Sequence, residues 1–428
     1  MTHTTVFVIM DAGRSDYVST ESMPFLHGLS QDAVTGSFES PPGFAQRTVL
    51  FSGRYPDTSG NFSAFAFDPD KSPFKWVRRM GPLRGAIRAR KLLYPTRMGV
   101  RMVTKAVTGA YHTDPAWIPP KYLPFFRPCE DMRPIYEPGA LGAPSIFDIV
   151  RGYGLRYRYL AHPVSGDDEE VRDTLVRELR AGAPYDLYTA QFSTTDQQGH
   201  VHGPFSPAMQ EGFLRELDEK IATVHAALTA GYDTWDLFLC GDHGMGPVHQ
   251  EVNVLKALEK ADAKPAKDYV VFVNSTLAVF WYLTDKGRKA VEEVLPSVPG
   301  SYLIDEADRR RLRIPTDRQW GDRMLAAKPG VMYWPDYFHV KDSKIVGMHG
   351  YLDKSQESHG MMVLASNRPD RPQGDLGLRP LVDVFPTLCQ LIGGDVPEGQ
   401  EGTSLLGAER KVERLSQRPA MAEVAVER

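Results

Sequence analysis

Three short apolar runs, each emptying into a loop of carboxylates and histidines, constrain this chain most. Thr5 to Met10 (TVFVIM) ends at Asp11-Ala12-Gly13, Asp186 to Phe192 (DLYTAQF) runs into STTDQQGHVHGP, and Trp235 to Cys240 (WDLFLC) runs into GDHGM. Runs of this length bounded by polar turns suit strands covered on both faces. Pro207 to Leu228, between the second and third runs, and Glu169 to Leu179, before the second, carry apolar residues at helical spacing. The alternation predicts an α/β chain with a layered, largely parallel central sheet flanked by helices. In such sheets the binding crevice lies beyond the carboxyl ends of the strands, which is where the Asp/His segments would sit as polar turns.

The rest of the composition narrows the class. With 428 residues, 42% hydrophobic and 24% charged, the chain can bury a large core, which excludes a disordered or fibrous protein. Fifty Lys and Arg against fifty-four Asp and Glu give a net charge of −4, so no general nucleic-acid binder is expected and an anionic partner must be met locally. Cys129, Cys240 and Cys389 form neither a disulfide framework nor a CxxC pair, and Cys240 reads as a small core residue. No apolar run approaches the ~18 residues of a membrane span, and no basic region precedes Thr5. A reducing, cytoplasmic setting is the expectation.

A single domain over 1–407 is expected, with insertions at about 62–140 and 251–345 and a polar tail at 408–428. From Lys71 to Thr113 there are eleven Lys and Arg and no Asp or Glu. Such a run is a solvated face, a guide for an anionic substrate, or a peripheral contact with an acidic membrane.

The chemistry lies in Asp11, Asp196, His200, Asp242, His243 and, in GMHGY, His349. Carboxylate oxygens mixed with imidazole nitrogens suit zinc, with manganese as the alternative, and six donors suffice for two divalent ions with positions left open for substrate oxygens. His202, His249 and His359 lie near these motifs and read as outer or surface histidines.

In DAGRSDY (11–17), LFSGRYPDTSGN (50–61), DQQGHVHGP (196–204), GDHGM (241–245), GMHGY (347–351) and the closing LVDVFPTLCQLIGG with EGTSL, the chain resembles the alkaline phosphatase superfamily, within it the nucleotide pyrophosphatase/phosphodiesterase branch. The resemblance implies one metal on Asp196, His200 and His349 and another on Asp11, Asp242 and His243. It implies hydrolysis of a phosphodiester or pyrophosphate by in-line displacement between two ions. A sulfatase or phosphomonoesterase activity is the neighbouring reading.

The resemblance breaks at the nucleophile. The family's Thr, Ser or Cys opens a helix ten residues before the glycine here numbered 53, which places Gly43 at that position. Glycine has no side chain to attack phosphorus. Three accounts follow: direct attack by a metal-bound hydroxide, a displaced nucleophile at Ser40 or Thr48, or an idle site that binds a phosphorylated ligand. Thr48, five positions along the helix, would point elsewhere. By the same resemblance Arg47 faces the site one turn along, and Asn61 stands roughly where the family places a donor to a phosphate oxygen, although a plain turn asparagine fits equally. Restoring a hydroxyl by Gly43→Thr is the substitution this reading suggests.

Overall fold

The computed structural model describes residues 2–80, 102, 106, 117–129, 132–161, 165–339, 344–352, 355–369 and 373–407. Most of the basic stretch and the 408–428 tail lie outside the described residues.

Seven strands, β1 (His3–Met10), β2 (Val34–Glu39), β3 (Tyr157–Leu160), β4 (Leu187–Phe192), β5 (Thr234–Gly241), β6 (His359–Ser366) and β7 (Gly374–Pro380), form one sheet in the order β7-β2-β6-β5-β1-β4-β3. Only β6 runs against its neighbours. The apolar runs form its centre because their side chains alternate between two covered faces. Val6, Val8 and Met10 of β1 enter one core, with Val171 and Leu175 of α3 (Asp168–Arg180) and Leu217 and Ile221 of α5 (Leu214–Gly231). Phe7 and Ile9 enter the other, against α1 (Gln46–Ser52), α2 (Ile146–Gly152) and α6 (Val384–Leu391). Each fully buried aliphatic or aromatic side chain in these layers contributes roughly 1.5–3 kcal/mol of transfer free energy.

A second, antiparallel sheet is built by Tyr269–Val273, Leu277–Tyr282, Ser301–Ile304 and Arg323–Ala327. Phe65–Phe67 pairs with Phe126–Pro128 and packs against it through stacking of Phe67 on Trp281 at 5.3 Å between ring centroids. None of the described helices is long and apolar enough to cross a membrane.

Candidate metal centre

The register sets the site. Met10 of β1 lies opposite Phe192 of β4 and Gly241 of β5, so the three segments that follow leave the sheet at one level. Their turns approach so closely that a β-carbon on Gly241 would stand 1.9 Å from the Gly13 carbonyl oxygen. Ala12 takes a left-handed backbone with φ 56°, a costly conformation for a residue with a β-carbon. Its N–H donates to Asp242 Oδ1 at 3.2 Å, which holds that carboxylate over the end of β1.

The segment after β4, expected as a polar turn, is helical: α4 spans Thr194–His202. Its first turn is held from a distance, because the Asp168 carboxylate accepts the N–H groups of Ser193 and Thr194, each at 2.9 Å. Asp196 and His200, four residues apart, therefore share one helix face. Gly199 lets the chain close around this helix: a β-carbon there would meet Met245 Sδ at 2.6 Å, and one on Gly347 would meet the Gly199 oxygen at 2.3 Å. The Val346 N–H donates to the His200 carbonyl at 2.9 Å, which delivers His349 to Asp196.

Six donors converge. Asp196 Oδ1 lies 3.3 Å from His200 Nε2 and 3.2 Å from His349 Nε2, and His243 Nε2 lies 3.4 Å from Asp11 Oδ1 and 3.8 Å from Asp242 Oδ1. Donor atoms of Asp196, His243 and His349 fall within 4.8 Å of one another, as do those of Asp11, Asp242 and His243, so His243 stands between two groups. The rings of His243 and His349 stack at 4.0 Å.

The tautomers test whether a cation fits. His200 Nδ1 donates to the Gly347 carbonyl at 2.8 Å and His243 Nδ1 to the Gly244 carbonyl at 2.9 Å. In the neutral ring, Nε2 then carries a lone pair, and each lone pair faces a carboxylate oxygen. Asp196 Oδ1 is buried without a hydrogen bond. Two lone pairs opposed in a buried site call for a cation or a proton between them, and the mixed oxygen and nitrogen donors suit a divalent ion.

Without a metal the site must share protons. Burial and the nearby Asp11 push Asp242 up to about 7 against the pull of His243. Burial opposes charge on His243, yet Asp242 and Asp11 raise it to about 10. Burial and the charge of His243 bring His349 down to about 4. Burial also opposes the Asp196 charge, but His200 and His349 hold that carboxyl well below the usual range.

The other sequence candidates divide. Gly43 does not open a helix: α1 starts at Gln46, and Gly43 lies in the preceding loop with φ 83°. A β-carbon there would stand 2.2 Å from the Phe62 carbonyl oxygen. Arg47 Nη2 donates to Gln191 Oε1 at 3.3 Å, while Gln191 Nε2 donates to Asp11 Oδ2 at 2.8 Å, so Arg47 reaches the centre through one amide. Asn61 Nδ2 donates to Thr48 Oγ1 at 2.7 Å, which engages both side chains with each other. The Ser40 hydroxyl donates to the Asp242 carbonyl oxygen. His202 packs on Phe213, His249 bonds through its N–H to Gly330, and His359 shares a small cleft with His243.

Sequence reasoning passed over Gln191, which orients Asp11, and His339, whose ring lies 5.4 Å from that of His200. His339 Nδ1 is 2.7 Å from Asp336 Oδ2, and Ser275 Oγ donates to the same oxygen at 2.6 Å. The D-x-x-H spacing in WPDYFH was the available signal.

A search of curated proteins finds none that matches. Solved structures of human and murine ectonucleotide pyrophosphatase / phosphodiesterase 5 superpose with TM-scores of 0.64 and 0.63 at 15% and 16% identity, each covering 94% of this chain and 97% of its own. A third, an inactive form of the murine protein in complex with AMP, gives 0.64 at 15% identity over the same shares of the two chains. These likenesses establish the fold, of the alkaline-phosphatase type. The sequence model described as Type I phosphodiesterase / nucleotide pyrophosphatase matches residues 5–352, and the chain belongs to that family.

Proposed function

We propose that this chain is a two-metal hydrolase of phosphodiester or pyrophosphate bonds in which water supplies the attacking oxygen. The observation that carries the reading is the opposition of the His200 lone pair to Asp196 Oδ1, repeated by His243 against Asp11 Oδ1, with His349 Nε2 3.2 Å from the same Asp196 oxygen. Asp196, His200 and His349 would hold one ion and Asp11, Asp242 and His243 the other. Zinc is favoured over manganese by the share of imidazole. When bound, two such ions polarise the phosphoryl oxygens and acidify water. The chain's own part is positional: the Gly347 and Gly244 carbonyls fix two imidazole tautomers, Ala12 N–H fixes Asp242, and Gln191 fixes Asp11 while tying it to Arg47. The three free cysteines, two of them buried, suit a reducing compartment.

Gly43 favours a second reading, a metal-dependent binder of a phosphorylated ligand, because the left-handed loop leaves no room for any side chain at the nucleophile position. Turnover of bis(p-nitrophenyl) phosphate by protein loaded with zinc or manganese decides between them. Water attack gives a single displacement and inverted configuration with a chiral phosphorothioate, whereas a covalent route through Ser40 or Thr48 gives retention. No turnover of any phosphate diester, monoester or sulfate ester by the loaded protein would leave the binder.

A further inference from the structure

Gln191 is an amide in an apolar place. It stands between Ala190 and Phe192 in β4, opposite Ile9 of β1, in a strand whose every residue is buried, and only 3% of its own surface is exposed. An amide buried there costs free energy unless both its ends are matched, a cost that an apolar side chain would not carry. Both ends are matched, by groups that fix which way the amide faces. Arg47 can only donate, so it takes the oxygen, at 3.3 Å, and the Asp11 carboxylate can only accept, so it takes the N–H, at 2.8 Å.

We propose that Gln191 is a positioning residue that confines Asp11 to holding an ion through one oxygen. The inference rests on the hydrolase reading above and deepens it, because it says how the chain keeps room for water where Gly43 brings no hydroxyl.

Asp11 has little freedom except at its carboxylate. Its N–H donates to the Phe192 carbonyl at 3.0 Å, and its own carbonyl accepts from the Thr195 hydroxyl, so its backbone is tied to the end of β4 and the start of α4. Rotation of the carboxylate remains, and the two oxygens have different partners. Oδ1 lies 3.4 Å from Nε2 of His243, a member of the same donor group, while Oδ2 takes the Gln191 N–H. Asp242, the other carboxylate of that group, is divided in the same way: its Oδ1 accepts the N–H groups of Ala12 at 3.2 Å and His243 at 3.0 Å. A carboxylate that grips a divalent ion through both oxygens fills two positions around it, whereas one oxygen leaves the second position for solvent or substrate. Gln191 engages the spare oxygen of Asp11 with a neutral donor, which adds no charge to the site.

The probe is cobalt(II), titrated into the full chain and read by its visible absorption, which is strong in four-coordinate sites and weak in six-coordinate ones. Gln191→Leu removes the donor at little change of volume in an apolar strand. Gln191→Glu is the second variant, since its carboxylate keeps an acceptor for Arg47 but offers Asp11 no donor. In both, absorption from one of the two bound ions should fall, as Asp11 Oδ2 turns to it, while that of the other stays. On metal-loaded protein, kcat for bis(p-nitrophenyl) phosphate should drop about tenfold or more with KM little changed. In an Asp11→Ala background the same leucine should alter neither the spectrum nor the affinity of the ion that is left. Unchanged cobalt absorption in both Gln191 variants would overturn the positioning role, whatever the enzyme hydrolyses. So would an equal change at both ions, or a change that persists in Asp11→Ala, either of which marks an effect on the fold. A wild type that binds no cobalt would overturn it together with the metal assignment. The expected spectral change in a protein that turns nothing over would sink the hydrolase reading and leave the role of Gln191 standing.

Discussion

Gly43 and Phe62 face each other so closely that a β-carbon on the glycine would stand 2.2 Å from the Phe62 carbonyl oxygen, and 2.8 Å from its ring. The Phe44 N–H donates to that same oxygen at 2.9 Å, which pins the loop against movement. At Gly43, the position the family resemblance assigns to the nucleophile, a hydroxyl is therefore excluded by the backbone as well as by the side chain. Gly43→Thr, which the sequence suggests as a way to restore a covalent route, is expected to destabilise the fold by roughly 1–3 kcal/mol and to yield no phosphoryl-enzyme. Thermal unfolding and acid-quench trapping check this. A stable variant with a trapped intermediate would show that the loop yields.

Removal of a donor from either group should cost both metal and turnover. Under the proposed assignment Asp242→Ala and His349→Ala would each remove a ligand from a different ion, so each is expected to lower bound metal from about two equivalents and to abolish hydrolysis. His202→Ala is the control, since His202 packs on Phe213 away from the six donors. His359 serves less well because it lines a cleft with His243. Elemental analysis with parallel rates decides, and equal loss in the His202 variant would break the assignment.

His339 offers a distinct test because it stands next to a donor without belonging to either close group. Asp336, buried and held by Ser275, fixes the ring through Nδ1. Truncation to His339→Ala should retain metal and lower turnover about tenfold or more, the usual cost of an outer partner at a metal site. Asp336→Asn should cost less than the truncation. Loss of metal in the His339 variant would instead make it a ligand.

How far the site could be read in the sequence depended on whether local pattern or distant contact placed each residue. Asp11 and the Asp242-His243 pair were legible because apolar runs buried on both faces can end only where the sheet ends, and β1 and β5 are adjacent. The helix carrying Asp196 and His200 was not legible: TTDQQGHVH has no apolar stripe, and its first turn depends on Asp168, far back in the chain. The start of α1 at Gln46 follows from Phe62, which no spacing rule around Gly43 reveals. His339 lies beside Trp334 in the 251–345 segment, and only tertiary contact across distant parts of the chain brings it to His200. The basic run from 71 to 113 lies largely outside the described residues, so its expected role as guide or membrane contact stands as read from the sequence.

The last prediction concerns acid stability and uses an ion bridge made by none of the six donors. Arg313 joins Asp57 at 2.6 Å and also binds Glu401, so one side chain ties residues from three distant parts of the chain together. Burial pushes the Glu401 carboxyl up, but the Thr58 hydroxyl, Arg313 and the Tyr55 N–H together hold it below its usual value. A carboxyl depressed in the folded state stabilises the fold above its unfolded pKa, and that contribution is lost as pH falls through the folded value. Stability of the wild type should therefore drop below about pH 4.5, whereas Glu401→Gln, already lacking the charge, should start less stable at neutral pH and show a shallower acid loss. Urea midpoints between pH 7 and pH 3.5 on metal-loaded protein give the measurement, and His202→Ala carried alongside serves as a reference with an unaltered bridge. Parallel curves for wild type and Glu401→Gln would mean that the bridge contributes nothing to acid sensitivity.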